Sequence, residues 1–156
     1  MTADFALEEF LPYRLSVVSN RASRLFARRY SEAFGISIAE WRVLAVVGRF
    51  GGLSASAVVE RTAMDKVKVS RAVRGLLARG LLRRQGDAAD RRVQRLAMTP
   101  AGEGIHGRIL PLARGLEAEL LAGMAAAEQA ALHRLLDALD ARLAAMGAGP
   151  GTEGPD

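Results

Sequence analysis

The sequence predicts a mainly α-helical fold that contains one small β-hairpin. Ala, Leu and Arg are abundant and aromatic residues make up 5% of the chain, a composition that favours helices. Between residues 53 and 102 the pattern reads helix, tight turn, basic helix, short basic hairpin and the start of another helix. A helix-turn-helix followed at once by a basic hairpin is the order of elements in a winged helix. We therefore expect a winged helix-turn-helix flanked by longer N- and C-terminal helices.

The length and the residue types limit the kinds of protein that this chain can be. A chain of 156 residues fits one domain, or one domain with a dimerisation extension. Because the sequence has no cysteine, disulfides, thiolate metal sites and thiol redox sensing are excluded. His106 and His133 are too few and too far apart in sequence for a metal site, and we expect no cofactor. We find no paired carboxylates, glycine-rich phosphate loop or nucleophile–base motif, so we do not expect an enzyme.

The sequence predicts neither a membrane span nor a signal peptide. No apolar run approaches the ~18 residues that a transmembrane helix needs. Asp4, Glu8 and Glu9 lie near the N-terminus, where a signal peptide would be basic. We therefore expect a cytoplasmic protein without a membrane partner.

The positive charge is concentrated in one part of the chain. The net charge is +5, but residues 54–96 hold eleven Lys/Arg against four Asp/Glu, a net charge of +7, and the remainder carries −2. A basic segment of this kind is the pattern expected of a protein that binds a phosphate backbone. A solvated basic face is the alternative, and the concentration of charge on one helix and one hairpin argues against it.

The first long helix is predicted between Pro12 and Gly35. Pro12 suits a first helical position after a short arm from Met1 to Leu11, and Gly35 is a stop signal. A helix this long at the end of a small domain has more apolar surface than its own domain can cover. We expect part of it to meet a second subunit, with ordinary packing inside the chain as the alternative. Its apolar residues recur at spacings of three and four: Leu15, Val18, Ala22, Leu25, Phe26 and Ala33.

Side chains that can cap helices mark the starts of the next three helices. Ser37 and Glu40 have the spacing of a capping box at the start of the second helix. Ser54 can cap a short third helix, and Asp65 suits the N-cap of the fourth. Trp41 on the second helix can line a ligand pocket, although a single Trp on an apolar helix face is more often a core residue.

The fourth helix, predicted from Lys66 to Arg79 before a stop at Gly80, has one apolar and one basic face. Its core stripe is predicted to consist of Val69, Val73, Leu76 and Leu77. With about 100° of rotation per residue, the opposite face collects small and basic side chains: Val67, Arg71, Arg74 and Ala78, with Lys68 and Ser70 on the flanks.

The basic face suits the major groove of DNA. Arg71 can donate to guanine O6 and N7, and Val67 can contact a thymine methyl group. Lys66, Lys68 and Ser70 are expected to hold phosphates.

The hairpin is predicted from two short strand-like runs, Leu81–Gln85 and Arg92–Leu96, around a polar loop at Gly86–Asp90. Arg91 and Arg92 lie near its tip and can enter the minor groove, where narrow A·T-rich tracts concentrate negative potential. A solvated turn with incidental arginines is the alternative. Four arginines on its two strand-like runs make that alternative the weaker one.

The remaining chain predicts two further helices. Thr99 and Pro100 suit the N-cap and first position of the fifth helix, and Pro111 is expected to kink or break it. A last helix is predicted from Ala126 to Met146, followed by a Gly/Pro-rich tail at 147–156 that we expect to be disordered. Both helices carry apolar stripes: Ile105, Ile109, Leu112, Leu116 and Leu120 in the fifth, and Leu132, Leu135, Leu136, Leu139 and Leu143 in the last.

The wing and the helix after it resemble the signature of the MarR family of bacterial transcriptional regulators. The family pattern is Asp-x-Arg, five residues, then Leu-Thr-x-x-Gly. Here Asp90-Arg91-Arg92 is followed at that distance by Met98-Thr99-Pro100-Ala101-Gly102. Met98 replaces the usual Leu and conserves volume. The segment from Asp65 to Arg71 is similar to the opening of the family's recognition helix, and the resemblance extends from about Pro12 to Met146.

The resemblance implies a homodimer in which the first and the last two helices form the interface. Each subunit would present one winged helix to half of a pseudo-palindromic site. The implied division is an N-terminal arm and dimerisation helix at 1–35, a winged helix-turn-helix at 36–99, C-terminal dimerisation helices at 100–146 and a tail at 147–156. In the family, the counterpart of Arg92 enters the minor groove, and the counterpart of Asp90 orients the wing through a salt bridge.

The resemblance also implies a small-molecule effector. Many members bind small aromatic anions in a cleft between the dimer helices and the winged helix, and then release DNA. The segments Pro12–Leu15 and Glu40–Leu44 are similar to members that regulate aromatic catabolism, some of which sense aryl-CoA thioesters. The implied effector is therefore an aromatic acid or an aryl-CoA. Among the candidate ligand residues, His106 can instead be a half-exposed packing residue. The candidate ligand residues lie on the helices where family pockets form: Tyr13, Ser16, Trp41, Arg42 and His106.

The sequence therefore predicts a ligand-responsive repressor that binds double-stranded DNA as a homodimer and is released by its effector. The alternative is a winged-helix protein-interaction module whose basic hairpin binds an acidic partner instead of DNA. The predicted DNA-binding residues are Ser54, Lys66, Val67, Lys68, Ser70, Arg71, Arg74, Arg84, Asp90, Arg91 and Arg92.

Overall fold

The computed structural model describes residues 5–90 and 92–147 of the chain. Within these ranges the fold is mainly helical and contains one small antiparallel sheet, as predicted. A single 3-10 turn, Leu7–Glu9, precedes the first helix. The elements are α1 (Leu11–Phe34), α2 (Ile38–Phe50), β1 (Leu53–Ser54), α3 (Ala55–Thr62), α4 (Lys66–Ala78), β2 (Leu82–Gly86), β3 (Gln94–Met98), α5 (Pro100–Leu121) and α6 (Ala126–Gly147).

The chain divides into two compact units. The first ends at Gly115 and contains α1 to α4, the sheet and most of α5. The second begins at Leu116 and contains the last residues of α5 and all of α6. The helix-turn-helix and the wing therefore lie in the same unit. In the described parts of both units, no helix is long and apolar enough to cross a membrane.

Local side-chain caps start the helices where the sequence predicted them. Ser37 and Glu40 form the complete capping box, in which the Glu40 amide donates to Ser37 Oγ (3.1 Å) and the Ser37 amide donates to Glu40 Oε2 (2.9 Å). Ser54 Oγ accepts from the Ala57 amide at 3.2 Å. Asp65 Oδ1 accepts from the Lys68 amide at 2.8 Å and starts α4. Each bond satisfies a helix N–H group that has no partner within the helix.

Glycine ends α4 and turns the chain into the sheet. Gly80 has a φ of 66°, which other residues rarely adopt. The Gly80 amide donates to Leu77 O (3.0 Å) and the Leu81 amide donates to Leu76 O (2.9 Å). These two bonds form a Schellman motif, which satisfies the last carbonyls of the helix. The α4 helix therefore has a defined end as well as a defined start.

The sheet confirms the predicted hairpin, but its strands are shifted to Leu82–Gly86 and Gln94–Met98 and it has one additional strand. Its strand order is β1-β3-β2, and all neighbours are antiparallel. The second hairpin strand begins at Gln94, two residues later than predicted, because Val93 belongs to the loop: its amide donates to Asp90 O (3.0 Å), and its carbonyl accepts from the Asp87 amide (3.0 Å). The sequence did not predict β1, a strand of two residues in which Leu53 faces Leu96 in the register.

The core of the first unit is formed by α2, the helix-turn-helix and the sheet. Val69, Val73 and Leu76 of α4 are buried, as predicted. Leu77, which we expected in the same stripe, is half-buried, and Ala72 is buried instead. The core face of α4 therefore lies slightly closer to Ala72 than the apolar pattern suggested.

The flanking helices differ from expectation in a few positions. α1 begins at Leu11, so Pro12 occupies the second helical position. Tyr30 is the buried residue of α1, and it does not belong to the predicted stripe. Pro111 lies inside a continuous α5 and does not break it. α6 extends to Gly147, so the rest of the predicted disordered tail, 148–156, lies outside the described residues.

Candidate nucleic-acid interface

The outer face of α4 is exposed and basic. Lys66, Lys68, Ser70, Arg71 and Arg74 are all exposed on it. Val67 is 68% exposed in their midst, although it is apolar. A helix face that combines several cations with one uncovered methyl-bearing side chain has the chemistry to contact both phosphates and a thymine methyl group.

The arginines of this face have no protein partner in the described part of the chain. The ion pairs found there involve neither Arg71 nor Arg74. Lys68 Nζ lies 3.8 Å from Asp65 Oδ2, and both side chains are largely exposed, so this contact holds the lysine weakly. The guanidinium groups therefore keep their donors available for a ligand outside the chain.

The wing contributes one cation beside this helix. A groove of about 440 Å³ lies between α3, α4 and β2. Arg84 of β2 lines it together with Lys66, Ser70 and Arg74 of α4. The structure thus brings together residues from two separate parts of the predicted DNA-binding set.

Ser54 occupies a position different from that of the exposed cations. Its hydroxyl caps α3 and lies 3.1 Å from Ser56 Oγ, and the residue is half-buried. Ser56, which was not among the predicted DNA-binding residues, is exposed and lines the same groove as Arg84. The cap accounts for a hydroxyl at position 54 independently of any contact with DNA.

The wing loop is held by two aspartates. Asp90 Oδ1 accepts from the Arg92 amide at 2.9 Å, and the Arg92 side chain is exposed. In the part of the loop that the structure describes, the ion pair joins Asp87 and Arg95 rather than Asp90 and an arginine. Arg91, a predicted DNA contact, lies outside the described residues.

Asp87 and Arg95 were not recognised from the sequence. Asp87 Oδ1 accepts from the Ala89 amide (2.7 Å) and the Asp90 amide (3.2 Å), and Asp87 Oδ2 accepts from Arg95 Nε. Hydrogen bonds from the Ala89 amide, Arg95 and the Asp90 amide hold the pKa of the Asp87 carboxyl below its usual range. The only local signal was an Asp at the start of a polar loop, which is typical of an Asx turn.

A second arginine connects α4 to the helices that precede it. Arg79, just after α4, donates from Nη1 to Gly35 O at 2.9 Å, at the end of α1. The same Nη1 lies 3.7 Å from Glu40 Oε2. Because Glu40 also closes the capping box of α2, the end of α4 is attached to both α1 and α2.

Two of the five candidate ligand residues pack against each other. The ring centroids of Trp41 and His106 are 5.7 Å apart. The ring centroid of Tyr30, a residue of α1, lies 5.8 Å from that of Trp41. Burial lowers the pKa of the His106 imidazole. Trp41 and His106 therefore form part of an aromatic packing cluster. Tyr13 and Ser16 lie exposed on the first turns of α1.

Arg42 lies in a different place, a polar cleft between α1, α2 and α4. The cleft has a volume of about 710 Å³. Arg42 lines it with Lys68 and Arg71 of α4 and with Asn20 and Ser23 of α1. Two carboxylates also line it, Asp65 and Glu40, and both are engaged as helix caps.

A short helix, a turn, an exposed basic helix and an adjoining β-hairpin together define a winged-helix DNA-binding protein. Comparisons with known proteins agree with this class. A family model described as "MarR family" matches residues 34–93, which include α2 to α4 and most of the wing.

Relatives and solved structures extend the similarity beyond the matched segment. The transcriptional regulator HosA of Escherichia coli O127:H6 is 26% identical over 110 residues, which cover 70% of this chain and 82% of HosA. BpsR of Bordetella bronchiseptica, whose DNA binding is regulated by 6-hydroxynicotinic acid, is 26% identical with a TM-score of 0.81, covering 88% of this chain and 98% of BpsR. A MarR family regulator of Silicibacter pomeroyi is 29% identical with a TM-score of 0.74, covering 91% of this chain and 95% of that one.

Residues 34–93 thus match the MarR family, and the fold over most of the chain is similar to that of MarR-family transcriptional regulators.

Proposed function

We propose that this protein is a ligand-responsive repressor that binds a pseudo-palindromic operator as a homodimer. The observation that carries the proposal is the outer face of α4, where Arg71 and Arg74 are exposed and have no ion-pair partner among the described residues. A helix of this kind fits the major groove, which is about 12 Å wide. We assign DNA binding to the region 36–99.

Within the interface, different residues have different tasks. We propose that Arg71 reads a guanine and Val67 contacts a thymine methyl group, because both project from the centre of the exposed face. Lys66, Lys68 and Ser70 would hold phosphates. Arg74 of α4 and Arg84 of β2, which line the same protein groove, would hold the DNA backbone beside the major groove. Arg91 and Arg92 would enter the adjacent minor groove.

The flanking helices support a dimer. Val18 and Leu25 of α1 are exposed although they belong to its apolar stripe, and α6 has no buried residue in the described chain. Exposed apolar side chains along one stripe of a helix are typical of an interaction site. We propose that 1–35 and 100–146 supply the subunit interface, so that two winged helices face two half-sites about one helical turn apart.

The effector is proposed to be an aromatic acid or an aryl-CoA. The similar protein BpsR responds to an aromatic acid, 6-hydroxynicotinic acid. The cleft between α1, α2 and α4 supplies Arg42, Lys68 and Arg71 as cations, with amide and hydroxyl donors from α1. Guanidinium groups bind carboxylates and phosphates in bidentate geometry. An anion bound there would occupy Arg71, the residue that we assign to base reading, and would thereby favour release of DNA.

The DNA-binding proposal is tested by titrating the protein against its own promoter fragment and against random duplex. Arg71→Ala is expected to reduce operator affinity by about 1–3 kcal/mol and to relax base preference. Lys68→Ala is expected to weaken binding to all sequences and to lower the salt slope by about one. Arg49→Ala, an exposed arginine on α2, serves as the control for loss of one positive charge.

Two results would contradict the proposal. An Arg71→Ala protein with unchanged affinity and base preference would mean that another face of the molecule reads DNA. Binding that is insensitive to salt and equal for operator and random duplex would instead indicate a winged-helix module for an acidic protein partner.

A further inference from the structure

The loop of the wing is organised around one carboxylate. The Asp87 side chain is 10% exposed, although it lies in a loop that projects from the sheet. Its Oδ1 binds two successive loop amides, those of Ala89 and Asp90, and its Oδ2 accepts from Arg95 Nε. Every oxygen of this carboxylate therefore has a protein donor, which leaves Asp87 no evident role as a ligand of anything outside the chain.

Arg95 connects this loop to another part of the fold. It lies in β3, the central strand, opposite Ser54 of β1. While Nε donates to Asp87, Nη1 donates to Gly52 O at 3.0 Å, in the turn between α2 and β1. The guanidinium is planar and its donors have fixed directions, so one group sets the distance and angle between its two partners.

Hydrogen bonds continue from this group to the tip of the wing. Asp87 binds the Asp90 amide, and Asp90 Oδ1 accepts from the Arg92 amide at 2.9 Å. At the other end, Gly52 leads directly into β1 and the N-terminus of α3. This series of hydrogen bonds therefore runs from Arg92, which we propose enters the minor groove, to the start of the helix-turn-helix.

We propose that Arg95, acting through Asp87, is a positioning residue that sets the wing tip relative to the recognition helix and thereby determines how the protein reads the base pairs flanking each half-site. Neither side chain reads DNA itself. The inference rests on the proposed DNA-binding function and adds a pair of residues outside the Asp-x-Arg signature. Its consequence is that flank preference depends on a contact inside the protein.

A direct phosphate contact by Arg95 is the competing explanation, and charge distinguishes the two. If Asp87 and Arg95 act only through their charges, Asp87→Asn removes a negative charge beside DNA and strengthens DNA binding. If Asp87 positions the wing, the same substitution weakens the preference for the correct flank although the net charge becomes more favourable. Arg95→Lys retains the positive charge but loses the planar guanidinium. A phosphate contact would largely survive this substitution, whereas the positioning of the wing would not.

The experiment measures operator affinity by fluorescence anisotropy with two duplexes that share the half-sites and differ in A·T or G·C flanks. Wild type is expected to favour the A·T flanks. Asp87→Asn and Arg95→Lys are each expected to reduce that preference by about fivefold, a coupling of ordinary size for contacting residues. Affinity for random duplex should stay within about twofold of wild type. Arg83→Ala, an exposed arginine on β2, is the control and should leave the flank preference unchanged.

A double-mutant cycle tests whether the two residues act as a unit. The double variant Asp87→Ala/Arg95→Ala should lose no more flank preference than either single variant, because the contact is already broken in each. Thermal unfolding of all variants, at one protein concentration, confirms that the folded state is retained. Arg95→Lys remains interpretable if either alanine variant fails to fold.

Different failures have different meanings. A wild-type protein that binds no operator refutes the proposed function itself. A wild-type protein that binds its operator, with Asp87→Asn equal to or tighter than wild type on both flanks, overturns the positioning role alone. The positioning role is also overturned if the losses of flank preference in the double-mutant cycle are additive, or if the wild-type protein binds both flanks equally.

Discussion

At the scale of single residues, the Thr-x-x-Gly part of the family signature has a direct physical explanation. Thr99 Oγ1 donates to Gly80 O at 2.6 Å and accepts from the Gly102 amide at 3.1 Å. The Thr99 amide also donates to Leu81 O at 3.1 Å. These bonds attach the start of α5 to the end of α4. A Cβ at position 102 would overlap the Leu81 carbonyl oxygen, so the close approach requires glycine.

This contact predicts opposite effects for two neighbouring glycines. Gly102→Ala is expected to lower the free energy of unfolding by about 1–3 kcal/mol, because backbone must move to admit the methyl group. Gly104→Ala, in the same helix with open space around its Cβ position, is expected to raise it by roughly 0.5–1 kcal/mol through helix propensity. Chemical denaturation at a fixed protein concentration measures both. Equal changes in the two variants would show that the approach of α5 to Leu81 is not tight.

Residues whose partners lie within a few positions of sequence were predictable, and those with distant partners were not. Ser37, Asp65 and Thr99 were identified as caps because a cap needs only a side chain and the next turn of helix. Arg95 finds its partners eight and 43 positions away. No spacing rule in one sequence connects these positions, so the pair required the folded sheet.

At the scale of secondary-structure elements, the cleft between α1, α2 and α4 separates the candidate ligand residues. The family resemblance placed Trp41 and Arg42 in one group because both lie on a helix where family pockets form. On a helix, adjacent residues point about 100° apart. The structure accordingly puts Trp41 against Tyr30 and His106, and Arg42 in the polar cleft with Arg71.

If the cleft holds the effector, Arg42 should control the response without controlling DNA binding. With 6-hydroxynicotinic acid as the probe, Arg42→Ala is expected to raise the concentration that releases half of the operator by about tenfold or more, the effect of losing one hydrogen bond to a charged group. Operator affinity without the probe should remain that of wild type. Arg49→Ala, seven residues further along α2, is the matched control.

The uncharged 6-hydroxynicotinamide distinguishes anion recognition from shape recognition. It should release little operator from wild type, because the cleft cations lose their partner. Release by the amide and the acid at equal concentrations would contradict a site built on Arg42. An Arg42→Ala response equal to wild type would place the effector elsewhere, with the aromatic cluster around Trp41 as the next site to test.

The short strand β1 and the late start of β3 show why strand limits were harder to predict than helices. The helices repeat their apolar pattern over several turns, whereas β1 has two residues and acquires its identity from pairing with β3. The loop of the wing extends to Val93 because backbone bonds within the loop hold that residue. Such bonds leave no trace in an alternating apolar pattern.

At the scale of the whole molecule, each compact unit carries apolar surface that its own chain leaves uncovered. In the second unit, α6 has 22 residues and none of them is buried, although leucines recur along it. The sequence predicted these leucines as a stripe, and the family resemblance supplied the expectation that a second subunit covers it. Exposed leucines of α6 include Leu132, Leu135, Leu136 and Leu143.

A dimer interface on α6 predicts that one charge on this stripe separates the subunits. Leu143 is 60% exposed in the single chain, so Leu143→Glu should leave each subunit folded while it places a charge in the interface. Sedimentation velocity should show a shift from dimer to monomer. Operator affinity should fall at the same time, because a monomer gains only one half-site and loses the benefit of a linked second contact. Ala141→Glu adds the same charge about 200° around the helix and should leave both measurements near wild type. Dimers of equal stability in the two variants would mean that the leucine stripe of α6 serves another purpose, and the pairing of two winged helices would then have to come from α1.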